Sequence, residues 1–336
     1  MGNIPIYVGL DYHQSGVQVC VLDREGAPKM NKMCENNWQE VVRAVAPHGR
    51  VVRAAIESCS GAADFAEELI NNAEWNVDLA HPGYVSRMRQ NPDKTDYSDA
   101  RMLADLERVG YLPKVWLAPR AVRELRLLVR YRQQQVAERR NIKLRIGAVL
   151  REQRLKCTKH GRWSIPWLWW VKNEAALSEQ GRWVVNQHLE ELEYRNARIA
   201  NAAKQLSQVC HDDPLVKRLL GVPGIGRVTA WVFRAEVGRF DRFRNGKQLA
   251  RFCGLSPRNA SSGMKQADAG LIKAANKDLR IISLQAAHRL CRTEPRWKEM
   301  AMRMREAGKA PSVTVAAVAN RWLRWLFNEI RGAYAN

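Results

Sequence analysis

Alternating apolar and polar positions at the start of the chain predict a β-hairpin. Residues 4–10 alternate and lead to Asp11, and after a turn at Gly16 residues 17–22 alternate again. The next predicted elements are a strand at 28–34, a helix at 38–45, a strand at 51–56, a helix at 61–70, a strand at 76–80 and a helical stretch beyond residue 94. The order β-β-β-α-β-α-β-α indicates an α/β domain.

Acidic side chains lie at the ends of two predicted strands and on the last predicted helix. Asp11 ends the first strand, Glu57 ends the apolar strand, and Asp96 and Asp99 lie three apart in the run KTDYSDARMLA. This spacing places the last two carboxylates on one face of a helix, where they repel each other unless a cation lies between them. The pair is therefore either a solvated acidic turn or part of a metal site. The order of elements is that of ribonuclease-H-like nucleases, in which acids at such positions converge on divalent metal.

The charge of the chain narrows the class of partner. Its 336 residues include 55 Lys and Arg against 34 Asp and Glu, a formal net charge of +21. Such an excess favours a polyanion, because binding releases the counterions of phosphates. A membrane surface is the rival polyanion. However, the sequence shows no apolar run of about twenty residues and no signal-peptide pattern, so a cytoplasmic protein without a membrane partner is expected.

A long basic helix is predicted after the α/β domain. Between residues 119 and 156 twelve Lys and Arg face three Glu, and no proline or glycine interrupts the run before Gly147. The single sign of the charge favours phosphate contact over an ordinary solvated helix. After a segment with four tryptophans, read as core in preference to base-stacking platforms, residues 183–209 predict a second helix. The two helices fit either an antiparallel hairpin or a dimer-forming coiled coil.

Glycine-rich and serine-rich segments mark the last third of the chain. Residues 221–226 read GVPGIG between two helical runs and resemble the hairpin of helix-hairpin-helix modules, in which backbone N–H groups approach a DNA phosphate. A plain Gly-Pro turn is the alternative. Further on come GLSPRNASSG at 254–263, KAANKDLR at 273–280 and a predicted helix at 313–330.

The acids in GLDYH, AAIES and KTDYSDA, together with these C-terminal segments, resemble the DEDD transposases of bacterial insertion sequences. The resemblance implies a RuvC-like (RNase H-like) α/β nuclease domain at residues 1–118, a helical or coiled-coil connector at 119–212 and a mostly α-helical transposase domain with a helix-hairpin-helix-like element at 213–336. It also implies a nucleophilic serine before the glycine of the S-G pair, which is Ser262, with Ser261 as the second choice. Ala275 departs from the family, which usually has glycine there; a positive φ at that position would strain alanine.

The resemblance further implies a DNA recombinase of a bacterial insertion element, acting in the cytoplasm on donor and target DNA and guided by a structured RNA from the element. Mg²⁺ or Mn²⁺ would be held by the four acids, and homodimers would assemble into a homotetramer. The implied catalytic residues are Asp11, Glu57, Asp96, Asp99 and Ser262. The nucleic-acid-binding candidates are Lys94, Arg123, Arg126, Arg130, Arg139, Arg140, Gly224, Gly226, Arg227, Lys273 and Arg280.

Two other functions remain open at this point. A metal-dependent junction resolvase needs only the four acids and water, and it leaves Ser262 without a role. A non-catalytic RNA- or DNA-binding scaffold explains the charge but makes the four acids accidental.

Overall fold

The chain divides into two units, Met1–Arg120 and Ala121–Asn336, in the computed structural model, which describes residues 4–88, 95–259, 268–273 and 275–331. The strands of the first unit form one mixed sheet. They are β1 (Pro5–His13), β2 (Gly16–Leu22), β3 (Pro28–Cys34), β4 (Arg50–Glu57), β5 (Val77–Ala80) and β6 (Lys114–Val115). Their order is β3-β2-β1-β4-β5-β6.

The pairing of the strands agrees with the predicted hairpin. β1 and β2 pair antiparallel, as do β2 and β3, whereas β1 with β4 and β4 with β5 are parallel. β6 pairs antiparallel with β5 and was not predicted, because two residues show no period. This mixed sheet is compatible with the RuvC-like fold that the resemblance implied.

Four helices accompany the sheet within the described residues. They are α1 (Trp38–Val45), α2 (Ala62–Ala73), α3 (Pro82–Met88) and α4 (Asp96–Arg108), and a short 3₁₀ turn follows α1 at Ala46–His48. Ile6, Val8 and Leu10 of β1 are fully buried, and together with Phe65 and Leu69 of α2 they belong to one hydrophobic core. Burial of these alternating side chains fixes which face of β1 meets α2.

Gly9 allows α4 to lie directly on β1. A Cβ atom at this position would overlap the carbonyl oxygen of Ala100 and lie 2.5 Å from the amide nitrogen of Ala104. Only a residue without a side chain permits this approach of helix backbone to strand backbone. The contact therefore sets the position of the first turn of α4 relative to the end of β1.

The second unit is mostly helical. Its helices are α5 (Arg120–Glu152), α6 (Ile165–Asn173), α7 (Glu179–Val209), α8 (Pro214–Leu220), α9 (Arg227–Glu236), α10 (Gly246–Phe252), α11 (Lys277–Thr293), α12 (Pro295–Glu306) and α13 (Pro311–Arg331). A small antiparallel pair, β7 (Pro257–Asn259) and β8 (Asp268–Leu271), lies between α10 and α11.

The predicted long helices pair antiparallel within this unit. Arg195 of α7 donates to Gln135 near the middle of α5 at 2.9 Å, and Gln153, just beyond the C-terminal end of α5, donates to Ser178 at the start of α7. Trp167 is buried with α5 and α7 side chains, as the core interpretation of the tryptophans predicted. That interpretation is wrong for Trp169, whose side chain is 56% exposed. A second core surrounds Trp322 of α13, which is fully buried.

Candidate active site and nucleic-acid surfaces

Two of the predicted acids lie side by side at one edge of the sheet. β1 and β4 run parallel with Leu10 opposite Ile56, so the next residue on each strand is an acid, Asp11 on β1 and Glu57 on β4. Because the carboxyl ends of parallel strands meet at one edge, both carboxylates reach the same region. The charges of both also act on the nearby thiol of Cys59, whose pKa is raised mainly by burial.

The other two predicted acids lie in the first turn of α4. Thr95 caps this helix: its side chain accepts from the backbone amide of Ser98, and the Ser98 side chain reciprocates in a capping box. The cap fixes the start of the helix at Asp96, and negative charge is favourable at a helix N-terminus. Asp99 is buried, whereas the Asp96 side chain is 45% exposed.

His13 lies between two of these acids and was not among the predicted site residues. Its Nε2 atom is 3.3 Å from Oδ2 of Asp11 and 3.4 Å from Oδ1 of Asp96. The potential ligand atoms of these three residues lie within 4.8 Å of one another. The signal available in the sequence was the D-x-H spacing, since residues two apart on a strand share a face.

The electrostatics of the cluster favour a bound cation. Burial raises the pKa of the Asp11 carboxyl above its ordinary value; His13 lowers it, and the negative charges of Asp99 and Asp96 raise it. Ionised carboxylates gathered in this way lower their mutual repulsion by binding a positive ion. Carboxylate oxygens are the ligands that hard divalent cations such as Mg²⁺ prefer, so the donor set fits the implied metal.

Several predicted nucleic-acid contacts on α5 have partners within the second unit. Arg126 donates to the carbonyl of Ala235 at 2.7 Å, and Arg130 donates twice to the buried carboxylate of Glu236, at 2.8 and 3.0 Å. The Glu236 hydrogen bond raises the pKa of Arg130, whereas burial lowers that of Arg126. These two guanidiniums therefore hold α5 against α9. Their nucleic-acid role stays a prediction, as does that of Arg123.

Farther along α5, basic side chains line a recess of about 260 Å³. Arg139, Arg140, Lys143 and Arg162 surround Trp163 there, and the Lys143 ammonium lies 4.9 Å from the centre of its ring. Arg140 is exposed, whereas Arg139 is half-buried and bonds Asn196 at 3.3 Å. Arg139 and Arg140 were predicted nucleic-acid contacts, and this recess presents them together.

The GVPGIG segment connects α8 to α9, as the sequence suggested. Gly224 has a positive φ of 85°, and a Cβ there would press on the side chain of Leu290. Gly226 caps α9, a Cβ added to it would meet no atom within 4 Å, and Arg227 beside it is exposed. Phosphate binding at this helix terminus stays a prediction.

The predicted nucleophile lies outside the described residues. This applies to Ser262 and to its alternative Ser261, and also to Lys94. Lys273 is exposed, and Arg280 donates to the carbonyl of Ile272.

Asn276 connects the KAANKDLR segment to the buried acid. Its side chain caps α11 and donates to Glu236 at 2.7 Å. Neighbouring Ala275 is not among the described non-glycine residues with positive φ, so alanine is not strained there in the way considered above.

The fold of the first unit and the position of its acids are compatible with the RuvC-like class of α/β domains. The first unit is a mixed α/β sheet compatible with a RuvC-like domain, with carboxylates from two strands and one helix at one edge, and the second unit is helical. No helix in the described part of the chain is long and apolar enough to cross a membrane.

Comparison with known proteins identifies the family. A DEDD transposase model of the IS110 group matches residues 8–154, and a model described as "Transposase IS116/IS110/IS902 family" matches residues 216–302. The chain belongs to the IS110-family DEDD transposases, which are DNA transposases of insertion sequences. The family predicted from the acids and the C-terminal segments is thereby confirmed.

Curated relatives extend the similarity over most of the chain. A probable family 20 transposase of Pseudomonas aeruginosa is 27% identical over 334 residues, 95% of each chain. The transposase for insertion sequence element IS1111A of Coxiella burnetii is 25% identical over 85% of this chain and 78% of its own length. The transposase for IS1328 of Yersinia enterocolitica is 25% identical over 85% of this chain and 84% of its own.

Proposed function

We propose that this transposase exchanges DNA strands through a phosphoserine intermediate, uses a Mg²⁺ or Mn²⁺ site and is guided by a structured RNA encoded by its element. The observation that carries the proposal is the cluster of Asp11, His13 and Asp96, whose potential ligand atoms lie within 4.8 Å of one another in a chain of net charge +21. Glu57 and Asp99 are not part of that cluster, but Glu57 ends the strand parallel to β1 and Asp99 lies one turn beyond Asp96 on α4. In a phosphate-binding protein such a cluster is costly unless a cation offsets it.

The acids have distinct places in the proposed site. Asp11, Asp96, Asp99 and Glu57 would hold the divalent cation, and His13, within 3.4 Å of two of them, is a further candidate ligand. When bound, the ion would neutralise the charge that develops on phosphate oxygens. The carboxylates of Asp11 and Glu57 are positioned by the strand register, and those of Asp96 and Asp99 by the cap of α4.

Ser262 supplies the proposed nucleophile. Its Oγ forms a bond to phosphorus as its proton leaves, the bond from phosphorus to a deoxyribose oxygen breaks, and that oxygen departs with the electron pair and takes up a proton. The resulting phosphoserine ester conserves the bond for rejoining to another strand. Family membership and the S-G pair support this assignment.

Guide RNA and assembly complete the proposal. The recess around Trp163 offers guanidinium and ammonium groups to RNA phosphates, while donor and target DNA are the substrates. Homodimers assembling into a homotetramer, in the bacterial cytoplasm, are the proposed working form.

Replacement of Asp96 by Asn tests the metal site. Loss of one anionic ligand should abolish DNA cleavage and weaken Mn²⁺ binding while leaving nucleic-acid affinity largely intact. Asp105→Asn is the matched control, because Asp105 lies on the same helix with its side chain 51% exposed and pairs only with Arg108 in the described structure. Full cleavage by Asp96→Asn in Mg²⁺ would rule out the role.

A covalent adduct tests the nucleophile. Wild-type protein trapped on a nicked DNA substrate should carry a DNA strand that survives denaturation, and Ser262→Ala should lose it while still binding DNA, RNA and metal. Ser261→Ala should keep the adduct; the opposite pattern would move the nucleophile by one residue. Cleavage without any adduct, with water-derived oxygen on the product phosphate, would favour the junction resolvase.

RNA co-purification tests the guide. The purified protein should carry RNA, and Arg139→Glu/Arg140→Glu should reduce the amount and flatten the salt dependence of RNA binding. Arg145→Glu/Arg151→Glu is the control, since both side chains are exposed on the same helix outside the recess. Equal effects of the two pairs would show that the recess has no special role.

A further inference from the structure

An open cleft of about 780 Å³ lies between α12 and α13. None of the catalytic or nucleic-acid-binding residues predicted from the sequence lines it. Its volume falls within the range of roughly 300–1,000 Å³ typical of ligand sites. The lining residues are Arg296, Trp297, Met300, Arg303, Met304, Ala307, Lys309, Arg321, Arg324, Trp325 and Asn328.

Each wall of the cleft is one face of a helix. On α12, Arg296 and Arg303 are seven residues apart, and on α13, Arg321 and Arg324 are three apart, spacings that place each pair on a common face. Lys309 lies in the turn that joins the two helices. The two walls therefore present cations toward one another across the cleft.

These five cations form no ion pair with any acid in the described part of the chain. No carboxylate is among the described residues that line the cleft, and none lies within ion-pair distance of the five in the part of the chain that the structure describes. Like charges gathered in a concave surface produce a positive potential that attracts an anion. A polyanion would relieve this repulsion at several positions at once.

Aromatic side chains form the inner surface of the cleft. Trp325 is half-buried and packs at 68° to Trp297, with ring centres 6.3 Å apart, and Arg296 lies 4.9 Å from the centre of the Trp297 ring. The packing holds the Trp325 indole in place while part of it remains accessible. A fixed, partly open ring between cations is the combination that stacks nucleobases and binds their phosphates.

We propose that the cleft between α12 and α13 binds a single-stranded segment of nucleic acid, with the arginines on phosphates and Trp325 against a base. Cations on both walls suit one strand between them. The cleft shares no residue with the acidic cluster or the serine, so its role is additional to the proposed catalytic function.

Binding of short fluorescent oligouridylate and oligothymidylate to the full chain, in chelator, tests the site. Removing two phosphate contacts with Arg296→Gln/Arg303→Gln should lower the slope of log affinity against log salt by about 1.4, since each contact on a single strand contributes about 0.7. Tighter binding of oligouridylate would identify RNA as the ligand, and tighter binding of oligothymidylate would identify DNA; either result supports the proposal.

The matched control lies on the same helix. Lys298 and Arg305 are also seven residues apart and exposed on α12, but they do not line the cleft. Lys298→Gln/Arg305→Gln removes the same charge and should leave the slope unchanged. Equal loss in both double variants would show that only diffuse charge matters and would overturn the site.

A variant of Trp325 and a crosslinking experiment show where on the protein the oligonucleotide binds. Trp325→Leu keeps an apolar side chain against Trp297 and should weaken binding about fivefold or more, with thermal unfolding checked in parallel. An oligonucleotide carrying 5-iodouridine should crosslink to Trp325. Crosslinks found only outside α12 and α13, or tighter binding of a duplex, would overturn the proposal. These measurements need neither cleavage nor metal, so failure of the proposed catalytic function leaves them interpretable.

Discussion

Gly9→Ala should disrupt the acidic cluster without touching any acid. The added Cβ would lie 2.5 Å from the amide nitrogen of Ala104 and nearer still to the carbonyl oxygen of Ala100, whereas ordinary van der Waals contact begins at 3.4 Å, so α4 must withdraw by at least about 0.9 Å (3.4 − 2.5). The obstructing atoms are backbone and cannot rotate away. Overpacking of this kind costs about 1–3 kcal/mol, and the rigidity of the obstacle places Gly9→Ala near the upper figure.

The displacement also moves the ligands on α4 relative to those on β1. Metal sites tolerate errors of about 0.2 Å in ligand distance, well below the expected shift. We therefore expect Gly9→Ala to weaken Mn²⁺ binding by about tenfold or more, comparable with loss of an outer-shell support. Urea unfolding measures the stability change, and calorimetric titration measures the affinity for Mn²⁺.

Gly83→Ala is the matched control for this experiment. Gly83 lies in α3 of the same unit, and a Cβ there would meet only the side chain of His81, at 3.3 Å. Alanine in a helix is favoured over glycine by about 0.5–1 kcal/mol, so this variant should unfold at equal or higher urea and bind Mn²⁺ normally. If Gly9→Ala matched Gly83→Ala in both assays, the approach of α4 to β1 would not position the acids.

Three further predictions concern other parts of the chain. Arg130→Ala should cost about 1–2 kcal/mol in urea unfolding, because it removes two hydrogen bonds from the buried Glu236 carboxylate while the Arg130 side chain itself is 59% exposed; adding Glu236→Gln should recover much of the loss. The hydrogen bond from the Lys29 ammonium holds the pKa of the Asp23 carboxyl below its ordinary value. The ion pair therefore stabilises the fold above the ordinary pKa, and this stabilisation is lost as the pH falls through the folded-state pKa. Asp23→Asn should make the free energy of unfolding less dependent on pH in the acid range, and an unchanged dependence would contradict this. His13→Ala should weaken Ni²⁺ binding more than Mg²⁺ binding, since imidazole suits transition metals; equal losses in competition titrations would remove His13 from the ligand set.

The sequence alone determined the elements that carry the acids. Alternation in β1 and the apolar run of β4 end on Asp11 and Glu57, and the Thr95 cap precedes Asp96 at the start of α4. These are local signals, set by side-chain period and backbone capping, and they survive without knowledge of the tertiary structure. The same holds for the long α5, which no proline interrupts.

Tertiary structure decided which side chains meet. His13 belongs to the cluster only because α4 lies on β1, and that contact depends on the missing side chain of Gly9. Arg126 and Arg130 belong to a basic run that is typical of a phosphate-binding face. However, their guanidiniums donate to Ala235 and Glu236, more than one hundred residues away in sequence. Charge pattern along a helix does not reveal which turn faces another helix.

In the cleft between α12 and α13, too, local sequence determined the helices and tertiary structure determined which of their residues meet. In the sequence, Arg296 and Arg303 are indistinguishable from the exposed Lys298 and Arg305, which have the same spacing on the same helix. Packing of α13 against one face of α12 makes the first pair one wall of a cleft and leaves the second pair outside it. Helical period fixes which residues share a face, but only long-range packing fixes what that face opposes.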